Sequence, residues 1–141
     1  MPGPYVQLAT FCEKVLQEAD GVISIVRMID RIGVSAQGTN APPELPGGTI
    51  RTTLVVALKS DDARGRHELT IRAHQPSGQT LPDRKLDVIF DGDDRGFNLI
   101  VEIDVEAMEG LYWFDVLLNE SLMTRIPLRI SYQRMPGAVG S

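Results

Sequence analysis

The sequence predicts an all-β protein, an antiparallel β-sandwich of about eight strands. Stretches rich in β-branched and aromatic residues recur about every dozen residues, and clusters of Gly, Pro, Asn and Asp separate them. No helix-length segments alternate with these stretches, which argues against a parallel sheet with crossover helices. The chain has 141 residues, 43% of them hydrophobic and 23% charged, so its size and composition are those of one globular domain.

The first half of the chain is predicted to hold three strands. Residues 5–11 and 22–32 are rich in β-formers, and residues 49–59 follow as the third strand. Residues 12–19, between the first two, are expected to form one short helix of two turns or a wide loop. Residues 35–48 hold three Pro and three Gly and are expected to be a loop.

The second half is predicted to hold five further strands, because apolar and polar residues alternate there with a period of two. These strands cover residues 68–73, 85–90, 97–105, 110–118 and 123–132. In the strand of residues 97–105 the alternation is clearest, with one face made entirely of aliphatic side chains: Leu99, Val101, Ile103 and Val105. The pattern is typical of strands that bury one face and expose the other.

Three local features complete the predicted domain. Asn119-Glu120-Ser121 is a plausible loop of a hairpin between the last two strands. Pro127 lacks a backbone donor, so its strand is expected at a sheet edge or paired on one side there. The patterned sequence ends near Tyr132, which predicts one domain over residues 1–132 and a flexible tail over residues 133–141.

The sequence also resembles known domains. Gly110-Leu111-Tyr112-Trp113-Phe114 is similar to the tyrosine corner of immunoglobulin-like domains, although Met108 stands where an acidic residue is usual. The whole chain resembles a family of short uncharacterised bacterial domains. The resemblance is carried by the corner and by four further segments: Tyr5 to Glu13, Asp20-Gly21, residues 29–32 and Ile126-Pro127-Leu128. The resemblance implies an immunoglobulin-like β-sandwich from a bacterium and implies no activity.

The charge distribution disfavours two classes of partner. The net charge is −5, and residues 61–109 alone hold twelve acidic and six basic side chains. Nucleic acids and anionic membranes are bound by clustered Lys and Arg, so neither is an expected partner. The single cysteine, Cys12, excludes an intramolecular disulfide, and no signal peptide is recognised at the start. We therefore expect a cytoplasmic protein.

Acidic loops suggest a cation site as the alternative function. Residues 91–96 and Glu102 match part of a calcium-binding loop, but Arg95 stands where an oxygen ligand is needed. A sandwich can still bind calcium or a small ligand between its end loops if Asp61 and Asp62 lie beside Asp91, Asp93 and Asp94. His67 and His74 are seven residues apart, so in a strand they point to opposite faces and no zinc site is expected.

No pattern of catalytic residues is recognisable. The sequence has no GxSxG motif, no phosphate-binding glycine loop and no metalloprotease motif. Cys12 would need a histidine brought to it by the fold, and buried cysteines usually act as small apolar residues. The sequence thus predicts a protein that is not an enzyme and has no cofactor.

One apolar surface remains unexplained, and it carries the leading functional hypothesis. In residues 110–118 one face fits the core, while the opposite face presents Leu111, Trp113 and Leu117 around Asp115. Ile100 is expected beside them on a neighbouring strand. Either residues 35–48 or residues 12–19 cover this face, or it binds a protein partner or a second copy. The hypothesis is a non-enzymatic protein-interaction or accessory module.

Overall fold

The computed structural model describes residues 3–135, and within that range the chain forms seven β-strands and no helix. The strands are β1 (Tyr5–Gln17), β2 (Ile23–Ile29), β3 (Arg31–Gln37), β4 (Thr49–His74), β5 (Arg84–Glu106), β6 (Gly110–Leu118) and β7 (Ser121–Met135). The predicted all-β class is confirmed, with seven strands instead of about eight. Strand β7 continues three residues beyond the expected end at Tyr132, and the rest of the predicted tail, residues 136–141, lies outside the described residues.

The predicted short helix at residues 12–19 is wrong, because strand β1 extends through Gln17. Val15 pairs with Ile25 and Leu16 with Ser24, so β2 supplies the hydrogen-bond partners that a helix would have supplied internally. A short run with two apolar residues fits either structure, and here strand pairing decides.

The predicted strand over residues 22–32 is two strands, divided at Asp30. Before Asp30 the chain pairs with β1, and after it the chain crosses the sandwich and pairs with β7. The backbone carbonyl of Asp30 accepts a hydrogen bond from the Arg129 amide at 2.9 Å, which anchors the crossing. Because β3 and β7 are parallel, the sheet is mixed and not purely antiparallel.

Two pairs of predicted strands are merged into single long strands. Residues 49–59 and 68–73 both belong to β4, and residues 85–90 and 97–105 both belong to β5. The segments that looked like turns are irregularities within the β4–β5 ladder, where Asp61 and Asp93 have φ of 52° and 57°. Aspartate tolerates this left-handed conformation better than most residues, so the strands bend there without ending.

The bends let β4 and β5 take part in two layers. The strand order is β2-β1-β4-β6-β7-β3, with β5 paired to β4. The first part of β4 pairs with β1, and its last part, residues 69–74, pairs with β6. The layers enclose one core in which the rings of Phe11 and Phe114 meet edge to face at 4.8 Å. The aliphatic face predicted for residues 97–105 is confirmed as part of this core.

The tyrosine corner is formed as predicted. Tyr112 is fully buried, and its hydroxyl donates a hydrogen bond to the backbone carbonyl of Glu106, six residues upstream. Gly110 precedes it with φ of 128°, and a Cβ added there would lie 2.7 Å from Cβ of Pro76. Glycine is therefore required at this position by both its conformation and its close neighbour.

Candidate interaction surface

Strand β6 presents the face that the sequence left unexplained. Its alternate residues Tyr112, Phe114 and Val116 point into the core, and the intervening residues point away from it. Trp113 is 37% exposed and Leu111 is half-buried, whereas Leu117 is only 8% exposed and offers little surface to a partner.

Ile100 does not belong to this face, contrary to the expectation from sequence. It pairs with Val55 in the first part of β4, whereas β6 pairs with the last part of β4 and with β7. The neighbours of Trp113 in the ladder are His74 on one side and Pro127 on the other. Sequence periodicity shows which residues share a face of a strand but does not show which strands are adjacent.

The two segments considered as covers of Trp113 are occupied elsewhere in the described part of the chain. Residues 12–17 belong to β1 and pair with β2. In the loop of residues 38–48, the carbonyl of Pro42 accepts a hydrogen bond from the Tyr132 hydroxyl at 2.7 Å, and Leu45 packs against the core. The group that does lie on the indole ring is the Arg125 guanidinium, 5.9 Å from the ring centroid.

A polar network beside Trp113, on the same face of β6, holds Arg125 in place. Asp115 is 7% exposed; its Oδ1 accepts a hydrogen bond from Arg125 Nε at 2.7 Å, and its Oδ2 lies 2.8 Å from His74 Nε2. The other ring nitrogen of His74 lies 3.0 Å from the Thr80 hydroxyl. Burial raises the pKa of the Asp115 carboxyl, but the hydrogen bonds from Arg125 and His74 outweigh burial and lower it overall. Asp115 is thus held as a carboxylate that orients both partners.

A groove adjoins this face. It has a volume of about 620 Å³ and runs between residues 5–9 of β1 and residues 123–127 of β7. Each of these segments pairs with a strand on one side only, since β2 pairs with β1 from Phe11 onward and β3 pairs with β7 from Arg129 onward. The prediction that the strand pairs on one side at Pro127 is therefore confirmed.

Two residues of β7, Arg125 and Pro127, link the groove to the indole. Both residues line the groove; Arg125 also lies over the ring of Trp113, and Pro127 pairs with Trp113 in the ladder. Tyr5 lines the groove from β1 and is 53% exposed. We call Leu111, Trp113, Arg125, Pro127 and Tyr5 together the Trp113 surface. The sequence pattern indicates Leu111 and Trp113 but not the other three, which only the pairing of β6 with β7 and the position of β1 reveal.

The acidic loops lie beside each other, as the calcium alternative requires. Asp61 stands opposite Asp93 in the β4–β5 ladder. Basic groups already contact this region: Arg64 donates to the Asp91 carbonyl at 2.8 Å, and Lys59 Nζ donates to the Asp94 carbonyl at 3.3 Å. Among residues 3–135 no group of three or more His, Cys, Asp and Glu is placed to hold a metal ion. The adjacency of the loops meets one requirement of the calcium hypothesis, and that hypothesis stays a prediction.

The histidines and the cysteine are dispersed. His67 contacts the core ring of Phe90 at 5.1 Å, whereas His74 lies on the opposite, outer face with Asp115, so their predicted separation is confirmed. Cys12 is 1% exposed, and burial raises the pKa of its thiol. The cleft that Cys12 lines contains neither histidine, so the described residues do not form a cysteine–histidine pair there.

The fold and this face define a small two-layer β-sandwich with a tyrosine corner and one exposed aromatic surface. The chain belongs to the family of unknown function DUF6941, which matches it over residues 7–131. This confirms the resemblance to an uncharacterised family that the sequence suggested.

The chain is similar to an immunoglobulin-like protein from Pseudomonas aeruginosa known from a crystal structure, at 10% identity and a TM-score of 0.47. The alignment covers 92% of this chain and 97% of that chain. No curated protein matches the chain. Residues 3–135 contain no helix of the length and apolarity that crossing a membrane would need.

Proposed function

We propose that the protein is a non-enzymatic interaction or accessory module of the bacterial cytoplasm that binds a protein partner through the Trp113 surface. The observation that carries the proposal is the 37% exposure of Trp113 on an outer face, where the Arg125 guanidinium lies over its ring. A large aromatic ring held partly in water is the kind of residue that dominates binding energy when a partner buries it.

The composition of the Trp113 surface supports this proposal. Trp, Tyr and Arg are the three residue types most enriched among interface residues whose removal costs much affinity, and this surface has one of each. The Asp115 network fixes Arg125 before any partner arrives, so less side-chain entropy is lost on binding. The free strand edges beside the groove offer a partner backbone hydrogen bonds as well.

The first partner to test is a second copy of the chain. Light scattering coupled to size exclusion, over a range of protein concentrations, measures whether a dimer forms. We expect a dimer for the wild type and a weakening of its association by about tenfold or more for Trp113→Ala. Ile89→Ala is the matched control, because Ile89 is also an exposed apolar strand residue, at 52%, but lies on β5 outside the Trp113 surface.

The result decides between the two kinds of partner. If the wild type stays a monomer, the partner is another protein. Affinity capture with the wild type and the two variants identifies it as a protein lost with Trp113→Ala and kept with Ile89→Ala. The proposal would be overturned if the wild type is a monomer and Trp113→Ala captures the same proteins as the wild type. Unfolding curves of both variants establish that each remains folded.

A further inference from the structure

A second concave site lies where strand β1 leaves β4. The last β1–β4 pair joins Cys12 to Thr53, after which β1 continues with β2 alone. The separation leaves a cleft of about 540 Å³ beside residues 50–53 of β4, and residues 29–33 at the junction of β2 and β3 form its other wall. Its size falls in the range of about 300–1,000 Å³ that is common for small-molecule sites.

The cleft combines apolar side chains with an unsatisfied hydroxyl. Ile29, Ile32 and Ile50 line it and are each only partly buried. Thr52 lines it too, on the same face of β4 as Ile50, and is 6% exposed. Its Oγ1 has no hydrogen-bond partner within residues 3–135. A buried polar atom without a partner is costly, and a ligand oxygen or nitrogen would remove that cost.

Three guanidinium groups belong to the lining of this cleft. Arg27, Arg31 and Arg51 line the cleft, and their side chains are 65–74% exposed. Each forms an ion pair within the protein, such as Arg31 Nε with Asp30 at 2.9 Å. Because solvent screens exposed ion pairs, they contribute little stability, and a ligand anion can share or replace the protein carboxylate at small cost.

The acidic residues of the cleft limit the charge of the ligand. Glu13 and Glu102 line it beside the three arginines, and Arg31 and Arg51 each pair with a further carboxylate outside the lining, so every guanidinium is already matched by a protein carboxylate. A ligand with several negative charges would meet these carboxylates as well as the arginines. A ligand with one carboxylate, which replaces the protein carboxylate on Arg31, and with an apolar body against the isoleucines fits this balance.

We propose that this cleft binds a small organic monocarboxylate with an aliphatic body. The guanidinium of Arg31 takes the carboxylate, the isoleucines contact the aliphatic body, and the Thr52 hydroxyl donates a hydrogen bond to a ligand oxygen. This site is separate from the Trp113 surface, so its test does not depend on the proposed protein partner.

Calorimetric titration of the wild-type chain with hexanoate, hexanol and inorganic phosphate tests the ligand class. We expect hexanoate to bind with a dissociation constant of about 1 mM or tighter and hexanol at least about tenfold more weakly. Phosphate is expected to give no heat of binding. Absence of hexanoate binding would overturn the proposal. Equal affinity for hexanoate and phosphate would also overturn it, because the isoleucines would then contribute nothing to binding.

Thr52→Val tests the hydroxyl with two opposed readouts. Valine has the shape of threonine without the unsatisfied oxygen, so we expect a higher unfolding midpoint together with about fivefold weaker hexanoate binding. Ser60→Ala is the matched control: its hydroxyl is also buried and unpartnered, but it lies at the bend of β4 and does not line the cleft. Unchanged hexanoate affinity in Thr52→Val, or equal loss in both variants, contradicts the assigned contact.

Discussion

Asp115 shows at the scale of one residue how a buried charge is kept in a β-sheet. A carboxylate at 7% exposure loses most of its hydration, and it is retained only because Arg125 and His74 both contact it. The same contacts place Arg125 against Trp113. The sequence shows an isolated aspartate in an apolar strand, but its partners lie 10 and 41 residues away and become visible only from the strand register.

The pH dependence of stability is expected to report on Asp115. Its pKa in the folded protein is lowered, so its contribution to stability is fully present above the unfolded pKa of about 3.9 and is lost as pH falls through the folded pKa. Asp115→Asn removes that charge and is expected to cost about 1–3 kcal/mol at pH 7. Urea unfolding between pH 7 and pH 3 measures the free energy of unfolding of both proteins. The difference between wild type and Asp115→Asn should become smaller below about pH 4.

Asp87→Asn is the control for this prediction. Asp87 pairs with Arg66 at 3.9 Å, but its side chain is 64% exposed, so its loss should change stability little at any pH. A difference between wild type and Asp115→Asn that stays constant down to pH 3 would contradict the assigned role of the charge.

At the scale of the element, the predicted hairpin between the last two strands is formed, with a turn one residue shorter than predicted because Ser121 already belongs to β7. Strand β6 ends at Leu118, and Leu118 pairs with Ser121 across two residues, Asn119 and Glu120, both with positive φ. Such two-residue turns match the twist of antiparallel strands, and asparagine suits them. The entry to the hairpin depends on the tyrosine corner, where Gly110 lies against Pro76.

Gly110→Ala is expected to destabilise this element. A methyl group would lie 2.7 Å from Cβ of Pro76, and alanine disfavours φ of 128°, so we expect a loss of about 1–3 kcal/mol in the free energy of unfolding. Gly47→Ala is the matched control, because Gly47 has no atom within 4 Å of the added Cβ and no positive φ. Denaturant unfolding of both variants tests this; equal midpoints would show that the corner tolerates a side chain.

At the scale of the whole molecule, β4 and β5 connect the two layers. Each strand passes through a bend and contributes hydrogen bonds to both layers, and the core between the layers is continuous. The two layers cannot separate unless hydrogen bonds of β4 and β5, which belong to both layers, are broken. The sandwich is therefore one cooperative unit and not two stacked sheets with independent stability.

Unfolding is accordingly expected to be a single transition. Trp113 is the only tryptophan, so its fluorescence reports on the layer of β6, whereas far-ultraviolet circular dichroism reports on all strands. Urea titrations followed by the two signals should give the same midpoint and the same slope. Separate midpoints would mean that the layers unfold independently despite the shared strands.

The sequence by itself determined the all-β class, the inward faces of the strands, the tyrosine corner and the outward orientation of Trp113. These features depend on the alternation of residues and on turn residues, which act over a few neighbouring positions. The tertiary structure decided that β4 and β5 continue through their bends, that β3 crosses to pair in parallel with β7, and that Ile100 lies away from Trp113. It also brought Arg125 and His74 to Asp115 and placed Tyr5 across the groove. These features depend on which distant strands pair and in what register, and the free energy of those pairings is a property of the assembled layers and not of any local segment.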